Sequence, residues 1–171
     1  MTAPFRLEAL APDHDRTGFA CGVEALDQYF TTRVTQDMRR RLTACYVAIA
    51  SATSRVAGYY TLAAAGIPLS DMPESIVKRL PRYPSIPVAR LGRLAVDRDY
   101  QGQGLGSAML WDAVTRAARS EVAVFALVVD AKNEHAEAFY RRQGFVPFGL
   151  VPRQLFLPLK DVVSGRGCAG D

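Results

Sequence analysis

The stretch Leu91 to Gly106, LGRLAVDRDYQGQGLG, constrains this chain more than any other. An apolar strand runs into a short polar turn and then into Gly102, Gly104 and Gly106. The helical spacing of Leu105, Ala108, Met109, Ala113 and Ala117 follows and predicts a helix over Gly104–Arg119. Glycines leave the backbone bare at a helix start, where several N–H groups lack helical partners and the helix dipole adds partial positive charge. A pyrophosphate fits such a place. On the glycines alone two other readings stay open. A dinucleotide-binding fingerprint needs a third glycine where Ser107 stands and an acidic residue ending the next strand. A tight turn that binds nothing needs only the glycines.

The rest of the chain alternates strands with helices. Phe5–Ala9 reads as a short strand, and a helical region opens at Val23, with Val23, Leu26, Phe30 and Val34 near helical spacing. Ala44–Ala50 (ACYVAIA) and Val56–Ala64 (VAGYYTLAA) read as a hairpin across a Ser/Thr turn. Gly66 to Pro87 holds five prolines and reads as an irregular connection, with a short helix from Pro73 to Leu80. Val88–Val96 is a strand. Val122–Val129 (VAVFALVV) is continuously apolar, as expected of a strand covered on both faces. Asn133–Gln143 is a second helix closed by Gly144, and Phe145–Phe148 and Leu155–Leu159 are two last strands. The pattern is an α/β or α+β sheet layered with helices.

At 171 residues and 49% apolar composition the chain is the size of one domain with a real core. Residues 1–163 are read as that domain. The small, glycine-rich Ser164–Asp171 (SGRGCAGD) is read as a frayed, disordered tail. No apolar run approaches the roughly 18 residues of a membrane span, and the start lacks a basic region followed by an apolar one. Cys21, Cys45 and Cys168 are scattered, without the spacing of a disulfide scaffold or a zinc site, so a cytoplasmic location is expected and no metal. Only His14 and His135 are available for histidine chemistry. The net charge is +4, carried by 18 arginines against 3 lysines. Arginine's fork of donors matches phosphate, which favours a polyanionic partner; a GC-rich genome would enrich arginine equally well.

Two patterns together reach further than either alone. Gln101-x-x-Gly104-x-Gly106 follows the strand Arg93-Leu94-Ala95-Val96. It is succeeded, after an intervening strand, by Asn133-x-x-Ala136-x-x-Phe139-Tyr140-x-x-x-Gly144-Phe145. These resemble the two cofactor motifs of the GNAT superfamily of N-acetyltransferases. That resemblance implies a mixed, mostly antiparallel central sheet, splayed between its two middle strands and flanked by helices. Phe19–Phe30, Val56–Leu62 and Leu80–Val96 further resemble the GNAT toxins of bacterial toxin–antitoxin pairs, so the likeness spans about Phe5 to Leu159. Such toxins acetylate the α-amino group of aminoacyl-tRNA and stop translation. Their usual partner is a ribbon-helix-helix antitoxin from the same operon, through which alone they meet operator DNA. A homodimer is expected from the same resemblance.

The resemblance assigns roles residue by residue. The pantetheine arm of acetyl-CoA would lie along Leu94, Ala95 and Val96, using backbone groups of Leu94 and Val96. Gln101, Gly102, Gln103, Gly104, Leu105, Gly106 and Ser107 would hold its pyrophosphate through backbone amides. Asn133, with Ala136 and Phe139 beside it, would contact the arm, while Asn also serves well as a helix N-cap. Tyr140 would protonate the departing CoA thiolate, a phenol (pKa ~10) and a thiol (pKa ~8.5) being close enough for proton transfer; outside this motif it would read as a core tyrosine with its hydroxyl at the surface. Direct attack by a neutral amine needs no covalent intermediate, and Glu134, His135 and Glu137 read as solvated. Cys21 and Cys45 lack a histidine partner and read as structural thiols.

For tRNA the reading is electrostatic: Arg39-Arg40-Arg41, Lys78-Arg79-x-x-Arg82, Arg90 with Arg93, and Arg141-Arg142 are the basic clusters. Arg90 and Arg93 are the strongest candidates, sharing a face only if the strand is bulged; Arg93 is alternatively a structural ion-pair partner. Three functions stay open on these grounds: a tRNA-acetylating toxin, a GNAT acting on a small amine or protein N-terminus, and a binding module without activity. A small cationic substrate favours an acidic pocket, which this basic chain does not suggest.

Overall fold

Pairing in the first third follows the sequence alternation. Strand β1 (Phe5–Ala9) lies antiparallel to β2 (Ala44–Ala50), from Phe5↔Ala50 to Ala9↔Tyr46, and β2 lies antiparallel to β3 (Val56–Pro68). Next come β4 (Ser85–Val96), β5 (Ala126–Asp130), β6 (Val146–Pro147) and β7 (Gln154–Pro158). The computed structural model describes residues 3–160 and 162; the tail expected from Ser164 lies outside them. The seven strands form one sheet in the order β1-β2-β3-β4-β5-β7-β6. β4 pairs with β5 in parallel from Val88↔Ala126 to Leu91↔Val129, while β5–β7 and β6–β7 are antiparallel. The helices are α1 (Glu24–Thr32), α2 (Val34–Arg39), α3 (Glu74–Val77), α4 (Leu105–Ala118) and α5 (Glu134–Arg142). A mixed α/β fold is what the sequence predicts.

Contacts divide the chain into two compact units, Met1–Ala63 with Gly92–Ala113 and Ala64–Leu91 with Val114–Asp171. In the first, alternate residues Cys45, Val47 and Ile49 of β2 join Phe19, Phe30, Val34 and Tyr59 in one core. Phe30 stacks on Tyr59 with centroids 4.3 Å apart, and Phe19 meets both edge-on. The Tyr59 hydroxyl donates to the Leu26 carbonyl at 2.7 Å. Truncating the fully buried Phe30 to alanine costs about 3–5 kcal/mol on the usual scale. Gly58 on β3 is needed for close approach: a Cβ there would sit 2.6 Å from Met109 Sδ and 2.9 Å from the Ala95 carbonyl. That absence lets α4 lie directly on the strands that lead to its own start.

In the second unit, Ile67, Leu69, Met72, Ile86, Val88, Ala126, Val128, Phe148 and Phe156 form the core. Several expected boundaries shift. The helical region after Val23 is two helices, because the backbone leaves helical geometry at Arg33 (φ −122, ψ −30); Phe30 and Val34 still share one core. β3 continues past Ala64 to Pro68, and β4 starts at Ser85 rather than Val88. The helix expected from Pro73 to Leu80 is the four-residue α3, extended by single turns to Leu80. The strand expected from Val122 begins at Ala126, and Val122 is 74% exposed. The register places Ala126 opposite Val88 and Pro158, and Phe125 just before it still bonds both neighbours, its amide donating to the Pro87 carbonyl at 2.8 Å and its carbonyl accepting from the Leu159 amide at 3.0 Å. The strand expected over Phe145–Phe148 is reduced to Val146–Pro147.

Candidate active site

In the first unit, β4 delivers Leu94, Ala95 and Val96 to a loop built by two side chains. Asp97, 3% exposed, accepts from the Asp99 amide at 2.9 Å through Oδ1 and from the Ala20 amide at 3.1 Å through Oδ2. It thereby caps a single 3-10 turn, Arg98–Tyr100. Gln101 Nε2 donates to the Val96 carbonyl at 2.9 Å and the Cys21 carbonyl at 2.8 Å. So Gln101 contributes a brace in addition to the backbone role expected of it, and the Val96 carbonyl already accepts one bond from within the chain.

Beyond Gln101 the backbone passes through Gly102 and Gly104, each at φ +79, a region L side chains rarely adopt. A Cβ at either would meet nothing within 4 Å, so these glycines are fixed by conformation and their flanks stay open. Gly106 faces Val96 Cγ2 at 3.9 Å from where its Cβ would stand. The bond from the Ala108 amide to the Gly104 carbonyl lies at the foot of α4, and the amides of Leu105 and Gly106 lie ahead of it. Leu105 is buried; Ser107 sits in the same turn. Gln103, with Tyr100, Phe5 and Ser51 to Thr53, lines a groove of about 470 Å³. Bare amides, a helix dipole and open flanks fit a diphosphate.

In the second unit, Asn133 caps α5, its Oδ1 accepting from the Ala136 amide at 2.8 Å. The Asn133 amide nitrogen has no hydrogen-bond partner among the described residues, so cap and ligand contact are compatible. Phe139 lies edge-on to Tyr140 with centroids 5.3 Å apart, and Phe145 packs against the same ring at 5.7 Å. Tyr140 is 9% exposed, and burial pushes its phenol up to about 12. Its hydroxyl has no hydrogen-bond partner among the described residues and is not completely sealed from the surface. Glu134 and His135 are exposed, and Glu137 pairs with Arg141 at 3.1 Å.

The arginines separate. Arg90 pairs with Asp130, forty residues on, and so is already matched. Arg93 makes no ion pair among the described residues; its guanidinium lies over the Tyr29 ring, 3.4 Å from the centroid. The structural ion pair considered for Arg93 thus belongs to Arg90. Tyr29 in turn donates to Asp37 at 2.8 Å, and burial with that bond raises its phenol to about 12. Arg39, Arg40 and Arg41 are exposed at the end of α2, Arg41 with φ +59. Lys78 pairs with Glu74 at 3.5 Å. Cys45 is buried, its thiol pushed up to about 12, which suits a structural role. Among the described residues, no group of three or more acidic, histidine or cysteine side chains is placed to hold a metal, and no helix is long and apolar enough to cross a membrane.

Asp97 and Tyr29 are the residues the sequence reading missed. Asp97 carries a local signal, an aspartate two residues before a turn amide; Tyr29 carries none, because Arg93 is distant in sequence.

The family model described as Acetyltransferase (GNAT) family matches residues 15–145. The tRNA-acetylating toxin of Mycobacterium tuberculosis (strain ATCC 25618 / H37Rv) is 35% identical over 159 residues, 92% of each chain. Among solved structures, AtaT complexed with acetyl-methionyl-tRNAfMet matches with a TM-score of 0.88 and 33% identity, over 95% of this chain and 99% of that one. AtaTR bound with AcCoA gives 0.80 and 32%, over 95% and 98%. The AtaT–AtaR complex bound to DNA gives 0.73 and 32%, over 94% and 99%.

Proposed function

The chain belongs to the acetyltransferase (GNAT) family, and from that premise we propose that it is a toxin that moves an acetyl group from acetyl-CoA to the free α-amino group of aminoacyl-tRNA, blocking translation. The observation that carries the substrate is the likeness, along nearly the whole of both chains, to AtaT complexed with acetyl-methionyl-tRNAfMet. The family model runs through both compact units, which supports reading residues 1–163 as one acetyltransferase domain.

In this reading the amides of Gln101, Gly102, Gln103, Gly104, Leu105, Gly106 and Ser107 hold the diphosphate, with Leu94, Ala95 and Val96 along the pantetheine arm. Asn133 offers its amide nitrogen to the same arm, and Ala136 and Phe139 line it. Bound there, acetyl-CoA supplies the thioester that the amine attacks. The amine must be neutral, and at an ordinary α-amino pKa of about 8 it needs no strong base. Tyr140 holds a proton on its hydroxyl and gives it to the departing sulfur, and the proton that the acylated nitrogen loses restores the phenol through solvent. Burial pushes the phenol up to about 12, so at neutral pH it carries the proton this role requires.

Arg93 is the better contact for tRNA phosphate than Arg90, because its guanidinium sits over Tyr29 and meets no carboxylate among the described residues. Arg39, Arg40 and Arg41 add exposed positive charge. A cytoplasmic location fits this substrate. The partners follow the same reading: a ribbon-helix-helix antitoxin that neutralises the chain, operator DNA met only through that antitoxin, and a homodimer. Labelled acetyl-CoA incubated with charged tRNA, uncharged tRNA and a small amine tests the substrate. Label on charged tRNA alone is the expected result; label only on the small amine would replace the substrate, and no transfer would remove the activity.

A further inference from the structure

We propose that Asp97 is a positioning residue for the diphosphate loop, locking it to the segment Ala20–Gly22 so that acetyl-CoA binding and the order of that segment are coupled. The inference rests on the acetyl-CoA reading of the loop. Four hydrogen bonds carry it. The Ala20 amide donates to Asp97 Oδ2 at 3.1 Å and the Arg98 amide donates to the Ala20 carbonyl at 2.9 Å. Gln101 Nε2 bridges the Cys21 carbonyl at 2.8 Å to the Val96 carbonyl at 2.9 Å. The Asp97 amide is itself fixed, donating to the Ala57 carbonyl at 2.8 Å.

Three of the four run between the turn ahead of the glycines and a segment some eighty residues earlier in sequence, and the fourth ties Gln101 back to the end of β4. Gly22, at φ +101, completes the fit: the Arg98 side chain lies 3.6 Å from where a Cβ would stand. Asp97 is nearly fully buried, and both its oxygens accept backbone N–H groups, with Arg55 at 3.7 Å from Oδ1. Asparagine in its place would turn an NH2 toward one of those amides, setting donor against donor. The glycines then lose the fixed base that sets their amide directions, although nothing that touches the ligand is altered. A loose supporting shell weakens ligand grip before it changes the chemistry.

The test uses the full chain. Calorimetry gives the Kd for acetyl-CoA, and steady-state transfer to charged tRNA gives kcat and the acetyl-CoA KM. For Asp97→Asn the expected result is Kd and KM raised about tenfold, with kcat at saturating acetyl-CoA within about twofold. Gln101→Ala is a second variant that reads the same brace should Asp97→Asn fail to fold; it should move KM in the same direction. In the wild type, hydrogen exchange at the Ala20 and Arg98 amides should slow when acetyl-CoA is added. Equal Kd in wild type and both variants, or a fall in kcat with KM unchanged, overturns the brace alone. No heat from the wild type overturns the acetyl-CoA reading beneath it.

Discussion

Tyr29 and Tyr140 are both buried, and burial raises both phenols to about 12, yet their hydroxyls meet different surroundings. Tyr29 is closed: its hydroxyl donates to Asp37 and its ring carries the Arg93 guanidinium. Tyr140 packs its ring on Phe139 and Phe145, and its hydroxyl has no partner among the described residues. The closed phenol organises an arginine; the unclaimed one keeps a proton available to whatever lies outside it. Burial alone does not mark a tyrosine as a proton donor. What marks it is burial of the ring combined with an unclaimed hydroxyl, in a motif that brings a leaving group to it.

The sharpest way to break the comparison is Tyr140→Phe. Removing the proton donor should lower kcat for transfer to charged tRNA about 100-fold or more, while acetyl-CoA affinity and cooperative unfolding persist. Single-turnover kinetics with calorimetry check it, and unchanged turnover would take Tyr140 out of the mechanism. Relief of toxicity on expression is the cellular form of the same result.

The next effect concerns the arginine that Tyr29 holds. Arg93→Met should reduce kcat/KM for charged tRNA about 10-fold or more, as expected when a charged donor fork loses its anion. Arg90→Met should change it little, since Arg90 is matched by the half-exposed Asp130 and such pairs contribute only about 0–1 kcal/mol. Repeating both at rising salt separates a phosphate contact, whose loss flattens the salt slope, from a packing defect. Equal effects of the two variants would erase the distinction between them.

What the sequence made legible was local. The glycine loop, the Asn133 cap and the Gly144 helix end each depend on residues a few positions apart, and each stands where the spacing placed it. The strand–helix alternation was legible for the same reason. The misses were relations between distant residues. The start of β5 depends on its partners on β4 and β7, which the run VAVFALVV does not contain. Arg90 with Asp130, Arg93 with Tyr29, and Asp97 with Ala20 join residues 40, 64 and 77 apart. A charge count over sequence treats Arg90 and Arg93 alike; only the fold pairs one with a carboxylate and leaves the other on a ring.

The smallest predicted effects are on stability. Tyr29→Phe should cost about 1.5–3 kcal/mol, the range for a hydrogen bond to a charged acceptor; urea unfolding reads it. The pH dependence then tests burial itself. Both phenols bind their protons more tightly in the folded chain than at their ordinary value of 10.0, as the Cys45 thiol does relative to 9.0. Above those values the unfolded chain therefore holds fewer protons than the folded one, and stability falls as pH rises. These three groups leave stability at full strength below about pH 9 and withdraw it progressively toward about pH 12. Tyr140→Phe and Tyr29→Phe each remove one such group, so each should flatten the fall between pH 10 and 12, and by similar amounts. Urea midpoints measured across that range check it. A slope in Tyr140→Phe equal to the wild type's would mean that burial does not hold the Tyr140 proton, and its equivalence to Tyr29 would be gone.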